Sequence, residues 1–270
     1  FVGKNSTLKV KGSAIFSSSA ERGGGVFASE NSSFEVISSA VGGNAAGVDG
    51  GGVHALSSST IELREGASVS NNTAVRNGGG LYVEETTLTV VSSAVDGNAA
   101  GVDGGGVSAV LSSTVELREG ASVSNNTAAH NGGGLYVATA SQLATNGTTH
   151  VRSNTARTGS GGGILAYTSA ALTLGGDLHL DSNTAGEDGG ACALAQASSL
   201  TGAAHTGRHT IALRHNSALR NGGGLAVSDG STVSLPATVL VLSDNTAGRH
   251  GGGLFAAASP LDAQASTCDS

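Results

Sequence analysis

The stretch Val69-Ser70-Asn71-Asn72-Thr73-Ala74-Val75-Arg76-Asn77-Gly78-Gly79-Gly80-Leu81-Tyr82-Val83 decides the fold. An aliphatic residue, two variable residues and an asparagine lead, six residues after that asparagine, into a glycine triplet and an alternating apolar run. The pattern then recurs along the chain. Triplets begin at Gly23, Gly50, Gly78, Gly104, Gly132, Gly161, Gly189, Gly222 and Gly251, the seventh reading Gly189-Gly190-Ala191-Cys192. The gaps between them are 27, 28, 26, 28, 29, 28, 33 and 29 residues. The preceding asparagines are Asn44, Asn72, Asn98, Asn126, Asn154, Asn183, Asn216 and Asn245; the first repeat has none and shows Ser17 to Ala20 there. A fixed period of this length marks a repeat architecture, in which each unit contacts mainly its neighbours.

Within residues 78–103, Leu81-Tyr82-Val83, Leu88-Thr89-Val90 and Ala94-Val95 form short alternating runs separated by Ser, Thr, Glu, Asp and Gly. Glycine interrupts every window that would otherwise carry a helical period. Three short strands per repeat predict an all-β, single-stranded parallel β-helix, right-handed, of about nine rungs of ~28 residues. Rungs about 4.8 Å apart give a rod roughly 43 Å long. Period-2 burial predicts a core of three columns. One runs Val26, Val53, Leu81, Val107, Leu135, Ile164, Cys192, Leu225, Leu254; a second, two residues on, runs Ala28 to Ala256; a third runs Val41 to Leu242. The asparagines are expected to stack as a structural ladder at a corner, satisfying backbone groups that the turn leaves unpaired. The triplets supply positive φ or close backbone approach. They are not phosphate loops, because no Lys-Ser/Thr follows and no strand–helix unit is present.

Composition agrees with a thin core. Glycine is 44 of 270 residues, more than twice the usual ~7%, while proline is only 2. The net charge of −7 and the lack of a basic patch argue against a nucleic-acid partner. No apolar run approaches the ~18–20 residues of a transmembrane span. The unbroken repeat predicts one domain over 1–270, with a loop insertion at 195–210 in the longest gap and a C-terminal tail at 259–270. The chain lacks methionine and opens inside a repeat at Phe1-Val2-Gly3, so it is expected to be a segment of a longer protein, continued by further rungs or abutting another protein. Residues 38–83 and 92–137 are near copies 54 residues apart, a duplicated two-rung unit.

The paired motifs resemble the repeats of the polymorphic outer-membrane protein family, which combine Phe-x-x-Asn with Gly-Gly-Ala-[Ile/Leu/Val]. The matching residues are Val69-Ser70-Asn71-Asn72 with Gly79-Gly80-Leu81, and their equivalents in every rung but the first. Val or Leu stands here for the family's Phe, and Gly usually for its Ala. Similar repeats occur in large surface proteins of algae and other protists. The resemblance implies a secreted or cell-surface structural or adhesive β-helix, assembled with itself or with other surface proteins.

The candidate binding residues are aromatic. Phe27, Tyr82, Tyr136 and Phe255 occupy one column, the outward position between the two inward columns after each triplet; its other members are His54, Ser108, Leu165, Ala193 and Ala226. This column is expected to be exposed. It reads either as plain β-propensity or as a docking stripe for a glycan or a neighbouring protein. Sequons at Asn5, Asn31, Asn71, Asn125 and Asn146 are candidate glycosylation sites. Asp49, Asp103 and Asp188 share a slot with Asn77, Asn131 and Asn221 before the triplets, where turn formation is expected ahead of surface calcium binding or catalysis. Glu62, Glu65, Glu116 and Glu119, with Arg64 and Arg118 between them, read as a solvated face. His205, His209 and His215 read as a solvated loop ahead of a metal site. Cys192 is expected to be a buried inert thiol, with a Cys192–Cys268 disulfide as the alternative. No cofactor, metal or catalytic residue is expected. The functional expectation is an extracellular, non-catalytic structural or adhesive rod. The alternatives are a carbohydrate-binding module and, behind it, a polysaccharide-acting enzyme, which needs convergent acids.

Overall fold

The computed structural model describes residues 1–203 and 208–263. It is an all-β solenoid of about nine turns, with every strand pair parallel. Each turn carries four strands rather than the three expected. One turn runs through Leu81–Glu84, Thr87–Val91, Ala94–Asp96 and Ala99–Ala100. The fourth strand is the two-residue segment that follows the ladder asparagine, which the sequence pattern leaves as a corner; two residues show no alternation. Stacking makes a glycine-side sheet, a long sheet, a valine sheet and a Thr-Ala sheet, of nine, ten, nine and nine strands.

Register follows the repeat. Leu81 pairs with Val53 and Val107, Val69 with Val41 and Val95, and Thr73 with Ala45 and Ala99. Because side chains alternate along a strand, both members of such a pair face the same way, and an inward position stays inward along its whole column. The three apolar columns are buried through the first eight rungs, joined by a fourth from the long sheet that includes Phe34, Ile61, Leu88 and Val115. In the ninth rung Leu242 and Leu254 are half-buried and Ala256 is exposed.

Two devices hold the corners. The first is the asparagine ladder. Asn126 donates from its backbone N and from Nδ2 to Asn154 Oδ1, both at 3.0 Å, and from Nδ2 to Val95 O at 3.0 Å. Its own Oδ1 accepts from Asn98 N at 2.9 Å and Asn98 Nδ2 at 3.0 Å. The same bonds link Asn44, Asn72, Asn98, Asn126, Asn154, Asn183, Asn216 and Asn245. Ser18 N meets Asn44 Oδ1 (3.0 Å) where the first rung has no asparagine. The second device is the triplet. Gly78 has φ +63°, and a Cβ on Gly79 would lie 2.4 Å from the Ala99 carbonyl carbon and 2.5 Å from Gly105 O. Only glycine permits rungs to approach so closely there.

The insertion is narrower than 195–210. Ser199–Gly202 is a strand in register with Ala171–Leu174, and Ile211 pairs with Leu178. From Leu174 to Leu178 is four steps and from Gly202 to Ile211 is nine, so the added residues lie between Gly202 and His209. No helix among the described residues is long and apolar enough to cross a membrane.

Candidate functional site

The outer face of the glycine-side sheet gathers the aromatic residues singled out by the sequence. Its column is not the exposed stripe expected. Phe27, Tyr82, Tyr136 and Phe255 are half-buried, while His54 (2% exposed), Ser108 and Leu165 are buried. Two geometric facts account for this. Rungs stacked about 4.8 Å apart let each ring cover the face of the next. The corner before each triplet also folds against the column: a Cβ on Gly50 would sit 2.8 Å from His54 Cβ.

The column divides into two clusters. Phe1, Phe27, His54 and Tyr82 form a continuous stack, with centroids 5.7, 5.1 and 4.9 Å apart and planes within 24°. Such near-parallel rings add to burial energy beyond area alone. Burial lowers the His54 pKa below its ordinary value, with a weak opposing contact from its Nδ1 to Asp49 O at 3.4 Å. Tyr82 donates its hydroxyl to Glu84 Oε2 at 3.1 Å, and burial followed by the Glu84 charge raises its pKa. The second cluster is Leu165, Ala193 and Ala226, packed with Tyr136, Tyr167 and Phe255. Tyr82 and Tyr136 are thus in separate clusters, with Ser108 between them.

Beside Tyr136 lies a cavity of about 280 Å³. Leu165, Tyr167 and Ala195 line it from the sheet, and Asn131, Ser160 and Glu187 from the corner loops of three successive rungs. Tyr167 is not among the aromatic positions that recur in the sequence; its place two residues beyond Leu165, outward by strand alternation, is the signal that points to it. Burial, with smaller contributions from Asp103 and Tyr167, pushes the Tyr136 pKa up to about 12.

The Asp/Asn slot before the triplets is a second ladder, not merely a set of turns. Asp49 Oδ1 accepts from Asn77 N and Nδ2, Asn77 Oδ1 from Asp103 N, Asp103 Oδ1 from Asn131 N, and Asn131 Oδ1 from Ser160 N, at 3.0–3.2 Å. Asp188 Oδ1 accepts from Asn221 N and Nδ2 at 2.9 Å. The carboxylates therefore satisfy corner amides. Serines do likewise where the glycine-side and long sheets meet: Thr86 N donates to Ser113 Oγ, and Ser113 N to Ser141 Oγ. The recurrence of Ser before most of the long strands, with Thr86 and Ala170 among the exceptions, is the available signal.

The remaining candidates lie elsewhere. All five sequon asparagines are exposed, and Asn5, Asn31, Asn71 and Asn125 have φ of 54–59° at corners. Asn125 Nδ2 donates to Asp96 Oδ1 (2.8 Å) and Asn31 Nδ2 to Asn5 Oδ1 (2.9 Å). Arg64 pairs with Glu35, Glu62 and Glu65, and Arg118 with Glu116. His150 and His179 stack at 5.1 Å on the valine sheet. His215 Nδ1 is 3.8 Å from Asp244 Oδ2, and both are exposed. His205 lies outside the described residues. Among the described residues no three His, Cys, Asp or Glu side chains converge as a metal site. Cys192 is buried in its column, and burial pushes its thiol up to about 12; Cys268, its candidate partner, lies outside the described residues. No family model, curated protein or solved structure matches the chain.

Proposed function

We propose that this chain is a structural or adhesive rod of an extracellular or cell-surface assembly, acting through its length and side faces rather than through catalysis. The observation that carries the reading is the way the duplicated unit stacks. Val69, Val95 and Val123 lie in one register, and Asn72, Asn98 and Asn126 in one ladder. Copying a two-rung unit therefore lengthens the rod without disturbing its neighbours, as expected of a solenoid whose stability is a sum of nearest-neighbour terms. The likeness of its paired motifs to polymorphic outer-membrane protein repeats supports a surface location. Exposed sequon corners at Asn71 and Asn125 are compatible with glycosylation in a secretory compartment. In this reading the partners are further copies or other surface proteins.

The test is antibody labelling of intact and permeabilised source cells, followed by electron microscopy of the labelled particle. Labelling of intact cells and an elongated particle are expected. Labelling only after permeabilisation would overturn the reading.

A further inference from the structure

The two copies of the duplicated unit differ at the outer column in a way that opens a site. Tyr82 and Tyr136 are equivalent, 54 residues apart. Tyr82 is consumed by its surroundings: its hydroxyl is held by Glu84 and its ring by His54. In the second copy Ala138 stands for Glu84 and Ser108 for His54. Among the described residues Tyr136 consequently has no hydrogen-bond partner for its hydroxyl, beside the 280 Å³ cavity. With its pKa near 12 that hydroxyl is a neutral donor and acceptor at physiological pH.

The other polar groups lining the cavity also retain unused capacity. Asn77 and Asn221 commit Nδ2 to the aspartate of the rung below, but Asn131 takes Asp103 only through its backbone N. Its NH₂ is left with two donors. Tyr167 accepts from Gln196 Nε2, which leaves its own hydrogen to give. Glu187 uses Oε1 on Arg220 Nη1 (3.2 Å) and keeps Oε2 as an acceptor. Leu165 and Ala195 supply apolar surface between these groups.

We propose that this hollow binds a neutral sugar ring, its C–H face over Leu165 and Ala195 and its edge hydroxyls exchanging hydrogen bonds with Tyr136, Asn131 and Glu187. Three features select that chemistry. The cavity is at or below the small end of ligand sites, the size for one compact ring. Its polar groups are mixed donors and acceptors around an apolar floor, which matches vicinal hydroxyls on a carbon ring and leaves none of them unpaired. Its one lining carboxylate, Glu187, is already paired with Arg220, which disfavours a cation, while Asp103 beside Tyr136 and Asp188 beside Ser160 disfavour an anionic sugar. The inference stands apart from the surface-rod reading, since it concerns binding to the purified chain and that reading concerns location.

The experiment is saturation-transfer NMR and calorimetric titration of the full chain with methyl glucoside, methyl galactoside, methyl mannoside, N-acetylglucosamine and, as the anionic comparison, glucuronate. At least one neutral sugar is expected to receive transfer at its ring protons, with a dissociation constant on the order of a millimolar for so few contact atoms. Tyr136→Phe is expected to weaken it roughly fivefold, the loss of one hydrogen bond. Ala195→Phe, which fills the hollow, should abolish it, and Tyr82→Phe should leave it unchanged. No transfer from any neutral sugar, tighter binding of glucuronate, or equal binding by wild type and Tyr136→Phe would each overturn the proposal. Tyr136→Phe keeps the ring in place, so the test stands even where Ala195→Phe disturbs folding.

Discussion

Asn126→Ala removes the middle of the asparagine ladder and tests whether side-chain amides or apolar burial hold the corners. Four side-chain hydrogen bonds disappear, two accepted from Asn98 and two donated to Val95 O and Asn154 Oδ1. Asn154 Oδ1 still accepts from the backbone N of residue 126. The orphans are the Asn98 backbone N–H, one Asn98 Nδ2 hydrogen and the bond to Val95 O, all at buried positions. An unsatisfied buried group costs ~1–3 kcal/mol. The vacated carboxamide leaves polar space for about one water, which would restore part of that. The expected loss is about 3 kcal/mol, against at most ~0.5 kcal/mol for Thr127→Ala, whose outward side chain makes no hydrogen bond in the ladder. Repeat proteins need not unfold in one step, so denaturant titration is best paired with amide exchange at Asn98. That amide should exchange roughly 100-fold faster in Asn126→Ala, since every 1.4 kcal/mol is a factor of ten. Unchanged protection at Asn98, or equal losses for Asn126→Ala and Thr127→Ala, would refute the ladder as a source of stability.

Gly79→Ala should prevent folding of the central rungs, because its Cβ would overlap Ala99 and Gly105 backbone, whereas Gly66→Ala, with φ +75° but open space, should cost about 1 kcal/mol; urea midpoints compare the two. Tyr82→Ser should lower stability by about 1–3 kcal/mol, since the ring is half-buried, stacked on His54 and bonded to Glu84; a neutral result in thermal melts would return the column to the surface. Cys192 should resist thiol reagents at pH 8 until the chain is unfolded, with its pKa near 12, and rapid modification of the native chain would contradict its burial. His54 is held below its ordinary pKa by burial, so the unfolded chain takes up the proton first as pH falls through ~6.5. Its contribution to stability is therefore intact above that pH and lost on acidification, and His54→Phe should flatten the pH dependence of the melting temperature between about pH 7.5 and 5.

What was legible in the sequence is what repeats strictly. The triplets, the asparagines and the Val69-type positions recur at a nearly fixed offset, six residues from asparagine to triplet and seven at Asn154, so solenoid, rung length and inward columns follow from spacing alone. The Thr-Ala strand was hidden because two residues carry no alternation. The second ladder was half visible: Asp49, Asn77, Asp103 and Asn131 share a slot, but turn propensity explains Asp and Asn before Gly without any stacking. The outer column departs from the expected exposure for a physical reason. Period-2 logic says which way a side chain points, not what comes to lie over it, and the corners beside His54 and Ser108 cover positions that an isolated strand would expose. Tyr167 escaped because it occurs in one rung only, and a feature without recurrence gives no periodic signal.

The duplicated unit shows why a site on such a rod would arise on an outer face. Across 38–83 and 92–137 the copies differ at seven positions: Gly42/Asp96, His54/Ser108, Leu56/Val110, Ser57/Leu111, Ile61/Val115, Val75/Ala129 and Arg76/His130. Only Ile61/Val115 points into the core, and it exchanges one buried aliphatic for another. Leu81, Val83 and Asn72 are kept as Leu135, Val137 and Asn126. The interior is bound by its neighbours above and below, so a change there is felt by three rungs at once, through packing and through the ladder. An outward change alters one local set of contacts. Replacing His54 by Ser108 unstacks a tyrosine, and the step from Glu84 to Ala138 just beyond the copied stretch leaves its hydroxyl unbonded, while the ladder beneath stays intact. The rod can therefore acquire a polar, ring-lined hollow on one rung without loss of the register that makes it a rod.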